Sequence, residues 1–345
     1  STVSDLGARF NICACDHSLI RAMPLIDELN LSFHGLDYLE PEATYVNAFH
    51  ENNGSWVFYH DADQTIDGLS ITHPSEVENY KRYLEDAIPV AELVIKIAQS
   101  GASMPEFLQA ATRQKMKGVS KLLRWSKASA VEVFKDYFDD WHLYMPGIST
   151  GPTVWGAPPE APGTGLAATV YATRHLIASG RPRRGSGSLP DAILKSYLSN
   201  GGQVRLESIV EKLQIENNRV KAVELQDGNV IEAPTVIAAC DPHNVLVNWI
   251  DEAPVPAKSL ISRWQNEPAQ EGYESKLDGI VQNLPTYKFM SELAGKFDHT
   301  DLSQSTVIIS PSPEKLKEAH VLKGQGLISD QPTMLASIPS ALDPE

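Results

Sequence analysis

The sequence predicts an α/β protein with two lobes, on three observations. Its 345 residues are too many for one ordinary hydrophobic core and suit about two domains. Residues 188–208 have the pattern of a helix, a glycine turn and a strand, which is the second half of a β-α-β unit. Residues 210–233 alternate around Asn-Asn and Asp-Gly turns, which is typical of an antiparallel three-stranded meander. We expect a layered sheet with this meander inserted, beside a larger mixed α+β lobe.

Composition and charge narrow the class of protein. A content of 42% hydrophobic and 21% charged residues is ordinary for a globular protein. The net charge of −15 argues against a nucleic-acid partner, which requires a basic face. No apolar run approaches the roughly 20 residues that span a bilayer, so no transmembrane segment is predicted, and peripheral membrane contact stays open. Three scattered cysteines suit a reducing compartment, which predicts a cytoplasmic location.

The first part of the chain is predicted to mix short strands with a short helix. Residues 8–20 alternate between apolar and polar positions, as a strand entering a turn does, and a helix is expected over 22–30. WVFYH (56–60) and TIDGLSIT (65–72) are predicted to form a hairpin, with Asp67-Gly68 as a turn signal.

Residues 75–145 are predicted to be mostly helical, because apolar residues recur there at three- and four-residue spacing. Ser75 with Glu78 has the pattern of a capping box, and Pro89 is expected to kink or split the helix that follows. Residues 146–165 are rich in Pro and Gly and predict a loop, whose length favours a functional lining.

The helix, turn and strand at 188–208 carry the clearest local signals. Ser188 and Asp191 have the spacing of a cap, and Gly201 supplies a left-handed turn after the helix. QVRLES (203–208) then predicts a strand. TVIAAC (235–240) is continuously apolar, as a strand buried on both faces is, and we expect it to lie parallel to QVRLES in one layer.

Two glycine motifs are set aside because of their context. G-T-G-L-A-A (163–168) satisfies G-x-G-x-x-A, but no strand precedes it, so a helix-entry loop is favoured over phosphate binding. G-I-S-T-G (147–151) fits the nucleophile elbow of α/β-hydrolases, although an elbow joins a strand to a helix. A serine hydrolase acting through Ser149 is therefore kept only as a third hypothesis.

No metal site is predicted. Cys13, Cys15 and His17 would share one face of a strand, but a structural zinc site has four ligands and no partner pair is evident elsewhere. The Asp139-Asp140 pair is interpreted as a solvated helix face.

Six segments, in their order and spacing, resemble the phytoene-desaturase-like flavoprotein family, in its pyridine-nucleotide-disulfide-oxidoreductase-like branch. These segments are PGTG (162–165), the helix ending in Arg174-His175, RRGSGSLPDAI (183–193), GGQVRLESIVEKL (201–213), LQDGNVIEAPTVIAACDP (225–242) and MLASIPSALDP (334–344). The resemblance implies an FAD-binding domain assembled from separated chain segments, and a substrate domain built from the pieces between them.

On this resemblance the chain is a fragment that contains the middle part of a partial FAD/NAD(P)-binding three-layer fold. Residues 1–180 and 246–345 are assigned to the substrate domain, and residues 181–245 to the FAD-binding domain. The family's first segment, with its Gly-rich turn, and its last FAD-contacting segment are expected to lie outside these residues. The chain as given is therefore expected to be inactive.

The resemblance also implies site residues. The cofactor-binding candidates are Gly185, Gly187, Val210, Ala239 and Cys240. Val210 would place its backbone against the adenine, and Ala239 and Cys240 would lie where the chain passes the dinucleotide. Arg184 stands where the family often has a further glycine. His175 matches a position often held by His near the substrate cavity and is the catalytic candidate.

Two classes of function remain open beside the hydrolase. The first is an FAD-dependent oxidoreductase that removes hydride from a C–C or C–N bond of an apolar small molecule, with desaturase, amine oxidase and isomerase chemistry undecided. The second is a non-catalytic binding or interaction module without flavin. A missing acid–base cluster does not argue against the first, because the flavin supplies the hard chemistry.

Overall fold

The computed structural model describes residues 2–3, 8–11, 15–99, 103–113, 116–153, 156–266, 293, 295–297 and 300–344. The chain divides into two compact units, one of residues 1–199 with 275–345 and one of residues 200–274. These bounds differ from the three predicted domain segments, and that assignment stays a prediction.

The first unit mixes helices and strands, which confirms the predicted fold class. Its helices are α1 (Leu19–Ala22), α2 (Leu25–Glu28), α3 (Ala62–Thr72), α4 (Val77–Gln99), α5 (Met104–Arg113), α6 (Val119–Trp125), α7 (Ala130–Lys135), α8 (Trp141–Thr150), α9 (Val170–Leu176), α10 (Ser188–Ser199), α12 (Pro313–Lys323) and α13 (Pro339–Leu342). Its strands are β1 (Thr2–Val3), β2 (Ala8–Arg9), β3 (Tyr38–Leu39), β4 (Ala43–Phe49), β5 (Trp56–Tyr59), β6 (Arg181–Pro182), β10 (Thr306–Ser310) and β11 (Met334–Ala336). Short 3₁₀ turns cover Pro74–Glu76, Gly165–Thr169 and Leu302–Gln304.

A four-stranded sheet in the order β11-β10-β4-β5 lies at the centre of the first unit. β4 runs parallel to β10, and the two outer pairs are antiparallel. Side chains alternate between the two faces of a strand. Tyr45 and Phe49 therefore face one core, with helices α4, α7, α8 and α9, while Val46 and Ala48 face a second core that includes Leu302.

The predicted hairpin at 56–72 is wrong in its second half, because TIDGLSIT belongs to α3. Asp61 caps this helix, since its side chain accepts a hydrogen bond from Gln64 N at 2.9 Å. Gly68 lies buried in the helix, where an added Cβ would come within 3.3 Å of the Phe297 ring. The Asp-Gly pair thus permits close packing and does not form a turn.

The predicted helical region at 75–145 is confirmed, with two differences in detail. Ser75 lies in the 3₁₀ turn Pro74–Glu76, and α4 begins only at Val77, so the predicted cap is misplaced. Pro89 does not split α4, which continues to Gln99.

The predicted loop at 146–165 begins later than expected, because α8 extends to Thr150. Pro146 within this helix has no N–H, so the His142 carbonyl loses its usual partner and accepts from Trp56 Nε1 at 3.0 Å. One residue further on, Tyr171 Oη accepts from Gly147 N and donates to Leu143 O, both at 2.8 Å. Tertiary contacts thus satisfy the groups that the proline frees.

The predicted helix at 188–199 is confirmed as α10. Ser188 donates its hydroxyl to the Arg183 carbonyl at 2.6 Å, so it does not act as the predicted cap. Near the start of the chain, the predicted helix at 22–30 is instead two short helices, α1 and α2, separated at Pro24.

The second unit contains the predicted antiparallel meander, which is confirmed. Its elements are β7 (Val210–Glu216), β8 (Arg219–Leu225), β9 (Val230–Glu232), a short π-helical turn (Asn244–Asn248), a 3₁₀ turn (Val255–Ala257) and α11 (Lys258–Asn266). Asn217 and Asn218 have positive φ values of 52° and 62°, as the tight turn between β7 and β8 requires.

The two predicted parallel strands beside the meander are not formed among the described residues. Neither 203–208 nor 235–240 belongs to a β-ladder within residues 200–266. TVIAAC is not buried on both faces, since Ile237 is 89% exposed, and in the other segment Leu206 is 79% exposed. An apolar strand is buried only when neighbouring strands and layers cover it, and no described strand of this unit pairs with either segment.

Candidate functional site

His175, the catalytic candidate, lies in α9 and is held through both ring nitrogens. Nδ1 is 2.8 Å from the His60 carbonyl oxygen, and Nε2 is 2.8 Å from Tyr80 Oη. Because a carbonyl oxygen only accepts, Nδ1 carries the proton and Nε2 accepts from the tyrosine hydroxyl. Phe58 stacks on the ring with a centroid distance of 4.5 Å.

Burial keeps this group of side chains uncharged. Loss of hydration is the largest cause that lowers the pKa of His175 to about 4, while the bond to the His60 carbonyl opposes the shift. Burial likewise raises the pKa of Tyr80 well above its usual value, so its hydroxyl keeps its proton. At neutral pH His175 is therefore a neutral imidazole in an aromatic wall, and its catalytic role stays a prediction.

Arg174, the residue before it, anchors the end of α9. Its guanidinium donates to Thr150 Oγ1 at 2.9 Å and lies 4.2 Å from the centre of the Tyr45 ring. His60 Nδ1 in turn donates to the Arg174 carbonyl at 2.9 Å. The His60–His175 pair thus ties α9 to the chain just after β5.

A groove of about 440 Å³ opens beside the end of α9. Its apolar and charged lining residues include Ile95, Leu176, Ile177, Arg21, Glu92 and Lys96. Arg21 donates to the Ala178 carbonyl at 2.9 Å and pairs with Glu40. The groove therefore combines an apolar wall with a charged rim.

The loop that contains Gly185 and Gly187 is held by side chains of the first unit. Arg184 N donates to Asp343 Oδ2, and Ser186 N donates to Asn11 Oδ1 at 3.0 Å. Gly185 has a φ of 87°, which favours glycine. Among the described residues, no heavy atom lies within 4 Å of the position that a Cβ on Gly187 would take. One side of this loop is thus open to a ligand.

The other three cofactor candidates lie in the second unit. Val210 is the first residue of β7 and pairs with Leu225. Ala239 and Cys240 end the unpaired segment 235–240, are exposed, and Cys240 is a free thiol. Their assignment as cofactor contacts stays a prediction, as does that of Gly185 and Gly187.

The serine hydrolase hypothesis is wrong in its structural premise. Ser149 lies inside α8 and its buried Oγ has no hydrogen-bond partner. An elbow requires an exposed serine at a strand-to-helix turn. The G-x-G-x-x-A stretch likewise follows turns at 156–162 and opens the 3₁₀ turn before α9.

Sequence reasoning missed a cluster formed by His73, Asp140 and His142. Each offers one potential ligand atom, and these atoms lie within 4.8 Å of one another. Asp140 is the N-cap of α8 and is partly buried, so its interpretation as a solvated helix face is wrong. The spacing Asp-x-His was visible in the sequence, but the approach of His73, 67 residues earlier, was not. Of the cysteines considered for a metal site, Cys13 lies outside the described residues.

A known protein family matches the middle part of the chain. The profile of the family described as Flavin containing amine oxidoreductase matches residues 78–275, more than half of the chain. The chain belongs to the flavin-containing amine oxidoreductase family. The resemblance to flavoproteins drawn from the sequence is thereby confirmed, and FAD is the cofactor that this family implies.

Two curated relatives are lycopene-forming phytoene desaturases. The protein of Pantoea ananas is 26% identical over 206 residues, which cover 59% of this chain and 40% of the relative. That of Pseudescherichia vulneris is 24% identical over 188 residues, which cover 54% of this chain and 36% of the relative. An oxidoreductase of known structure from Methanosarcina mazei is 15% identical with a TM-score of 0.42, covering 69% of this chain and 50% of that one. The chain thus spans about two fifths or less of the length of these curated relatives.

The described residues fit a partial contribution to a flavin site. In the first unit, the space at Gly187 among the described residues permits close approach of a ligand to the loop. In the second unit, residues 204–208 and 235–240 are largely exposed and lie outside the described β-ladders. The sequence contains no strand followed by G-x-G-x-x-G and a helix, the arrangement that binds a pyrophosphate. Among the described residues, no helix combines the length and apolar character needed to cross a bilayer.

Proposed function

We propose that this chain is part of an FAD-dependent oxidoreductase that takes hydride from a C–C or C–N bond of an apolar substrate. The observation that carries the proposal is the family match over residues 78–275. FAD, when bound, accepts the hydride. The chain's own residues are assigned to holding the cofactor and shaping an apolar, water-excluding environment.

The unpaired segments of the second unit support a flavin-binding role. Segments 204–208 and 235–240 lie on either side of the meander in the chain and expose apolar side chains such as Leu206 and Ile237. We propose that both pair with strands of the cofactor domain that the described residues do not supply. Pairing would bury this apolar surface, at about 25 cal/mol per Å².

An apolar substrate is supported by the first unit and by the relatives. The Pantoea ananas and Pseudescherichia vulneris relatives are named for phytoene, a hydrocarbon. The ring of His175 is neutral and stacked on Phe58, and the nearby groove has an apolar wall. We propose that His175 acts as a positioning residue, because both of its nitrogens are already engaged.

Gly187 provides a direct test of the cofactor assignment. It lacks a positive φ and has space beside it, so the chain itself should tolerate Gly187→Phe, while a flavin at the loop would be obstructed. Gly324→Phe is the matched control, because Gly324 likewise lacks a positive φ and has only ordinary contact at its Cβ position. We expect Gly187→Phe alone to lower the flavin absorbance of the purified holoprotein.

The colour of the protein separates the two classes of function. We expect the 345-residue chain to purify colourless and a polypeptide extended by its adjoining coding sequence to purify yellow. A yellow 345-residue product would contradict the proposed sharing of strands. Anaerobic bleaching of the flavin by phytoene, but not by an aliphatic amine, would select desaturase chemistry.

A binding module without flavin is the second candidate. It is favoured by the loop amides of Arg184 and Ser186, which are bound to the chain's own Asp343 and Asn11 side chains. A colourless extended polypeptide that takes up no added FAD would support this candidate and contradict the oxidoreductase.

A further inference from the structure

The His73–Asp140–His142 cluster joins three parts of the first unit. His73 lies at the C-terminal end of α3, and Asp140 and His142 lie at the N-terminal end of α8. The loop between β4 and β5 reaches the same place, since Asn53 Oδ1 is 3.1 Å from His142 Nε2. Gly54 beside it has a φ of 67°, and an added Cβ would meet the His142 ring at 2.2 Å.

Asp140 leaves one carboxylate oxygen directed at His73. Its Oδ1 accepts from His142 N at 3.0 Å and from His142 Nδ1 at 2.6 Å. Its Oδ2 is 4.0 Å from His73 Nε2, beyond hydrogen-bond distance. When Nδ1 of His142 donates to Asp140, its Nε2 presents a lone pair, as in the carboxylate–histidine pairs that support metal ions.

His73 is buried without the partners that a buried imidazole needs. Its side chain is 7% exposed, and its Nδ1 has no hydrogen-bond partner. Burial of an unsatisfied polar group costs about 1–3 kcal/mol. A cavity of about 100 Å³ lies against this ring, lined also by Asn53, Gly54 and Lys296. Among the described residues, the ring thus has an unpartnered Nδ1, borders open space, and directs Nε2 at the free Asp140 oxygen.

We propose that His73, Asp140 and His142 bind one divalent transition-metal ion of the Zn²⁺ class. Imidazole nitrogen and carboxylate oxygen are ordinary zinc ligands, with bonds of about 2.0–2.2 Å that set tetrahedral ligand atoms about 3.4 Å apart. The present separations of up to 4.8 Å require the side chains to close by about 1.4 Å. Asn53 Oδ1 supplies a further oxygen on the open side.

Neighbouring charges have opposite effects on the binding of a cation at this site. Glu76, which is 3% exposed, accepts from Asp140 N at 3.1 Å and adds a second carboxylate near the cluster. Lys296 lines the cavity, and its ammonium acts against a cation there. The bound ion would link α3, α8 and the β4–β5 loop, so its role is structural and does not depend on the proposed flavin chemistry.

Zn²⁺ binding tests the site directly. The experiment uses purified, metal-stripped chain that carries Cys240→Ser, a substitution that removes an exposed thiol. This protein is titrated with Zn²⁺ by calorimetry and with Co²⁺ by visible absorbance. We expect one ion per chain, and affinity about 10- to 100-fold weaker in Asp140→Asn and His73→Gln. Asn retains the helix-capping acceptor, and His34→Gln, outside the cluster, is the matched control with unchanged affinity.

Lys296→Gln separates metal binding from folding. It should tighten Zn²⁺ binding, a gain that misfolding cannot produce. Zn²⁺ should also raise the melting temperature of the parent chain and of His34→Gln, and not that of His73→Gln. No binding by the parent, or equal binding by the parent and both cluster variants, would overturn the proposal.

Discussion

The two compact units differ in how they bury their apolar residues. In the first unit, β4 and β5 are buried along their whole length, and Phe58, Tyr80 and Tyr171 meet in one aromatic core. In the described part of the second unit, the buried apolar residues are Ala222, Leu225 and Ile261, while Leu206 and Ile237 are largely exposed. The first unit therefore contains its own core, whereas the described part of the second unit leaves large apolar side chains exposed.

Amide hydrogen exchange is expected to show the largest difference between the two units. Protected amides of β4 should exchange only on global unfolding, whereas those of 204–208 and 235–240 lie outside the described β-ladders and should exchange roughly a thousandfold or more faster. Mass-spectrometric exchange on the 345-residue chain measures both. Equal protection would show that these segments are already paired and would contradict the proposed sharing of strands.

A core substitution should sharpen the same contrast in stability. Phe58→Ala removes a fully buried ring that packs on Tyr171 and His175, and should lower the free energy of unfolding by about 3–5 kcal/mol. Leu206→Ala, at a site 79% exposed, should change it by less than about 0.5 kcal/mol. Denaturant titration compares the two. A comparable loss from Leu206→Ala would mean that the second unit has a core of its own around that residue.

The pH dependence of stability should report the buried His175 ring. Its pKa is about 4 when folded and 6.5 when unfolded, so the unfolded chain binds more protons between these values. Its contribution is therefore complete above about pH 6.5 and falls by about 3 kcal/mol as the pH drops to about 4. His175→Gln should flatten this part of the profile. An unchanged slope in His175→Gln would place the acid sensitivity elsewhere.

Local chemistry made several elements readable from the sequence. The meander followed from Asn-Asn and Asp-Gly turns, and α10 followed from its apolar spacing and the glycine after it, because turn geometry and helix ends depend on adjacent residues. TIDGLSIT was misread, because an Asp-Gly pair also occurs where a glycine lets a helix pack closely, as at Gly68 against Phe297. Only the packing distinguishes these two uses.

The candidate sites depend far more than these elements do on contacts between residues that are distant in the chain. His175 was found through a family resemblance, but its partners Tyr80, Phe58 and His60 carried no motif, and its low pKa arises from their burial around it. The approach of His73 to Asp140 likewise joins the ends of two helices that pack against one sheet.

The sequence by itself determined the mixed fold, the order of segments that marks a flavoprotein, and the turns of the meander, since each depends on residues close together in the chain. The tertiary structure decided that α8 continues through Pro146, that 203–208 and 235–240 are exposed, and that two histidines and an aspartate meet. These outcomes depend on desolvation and on hydrogen bonds between groups far apart in the chain, such as Trp56 with His142, which no local pattern encodes.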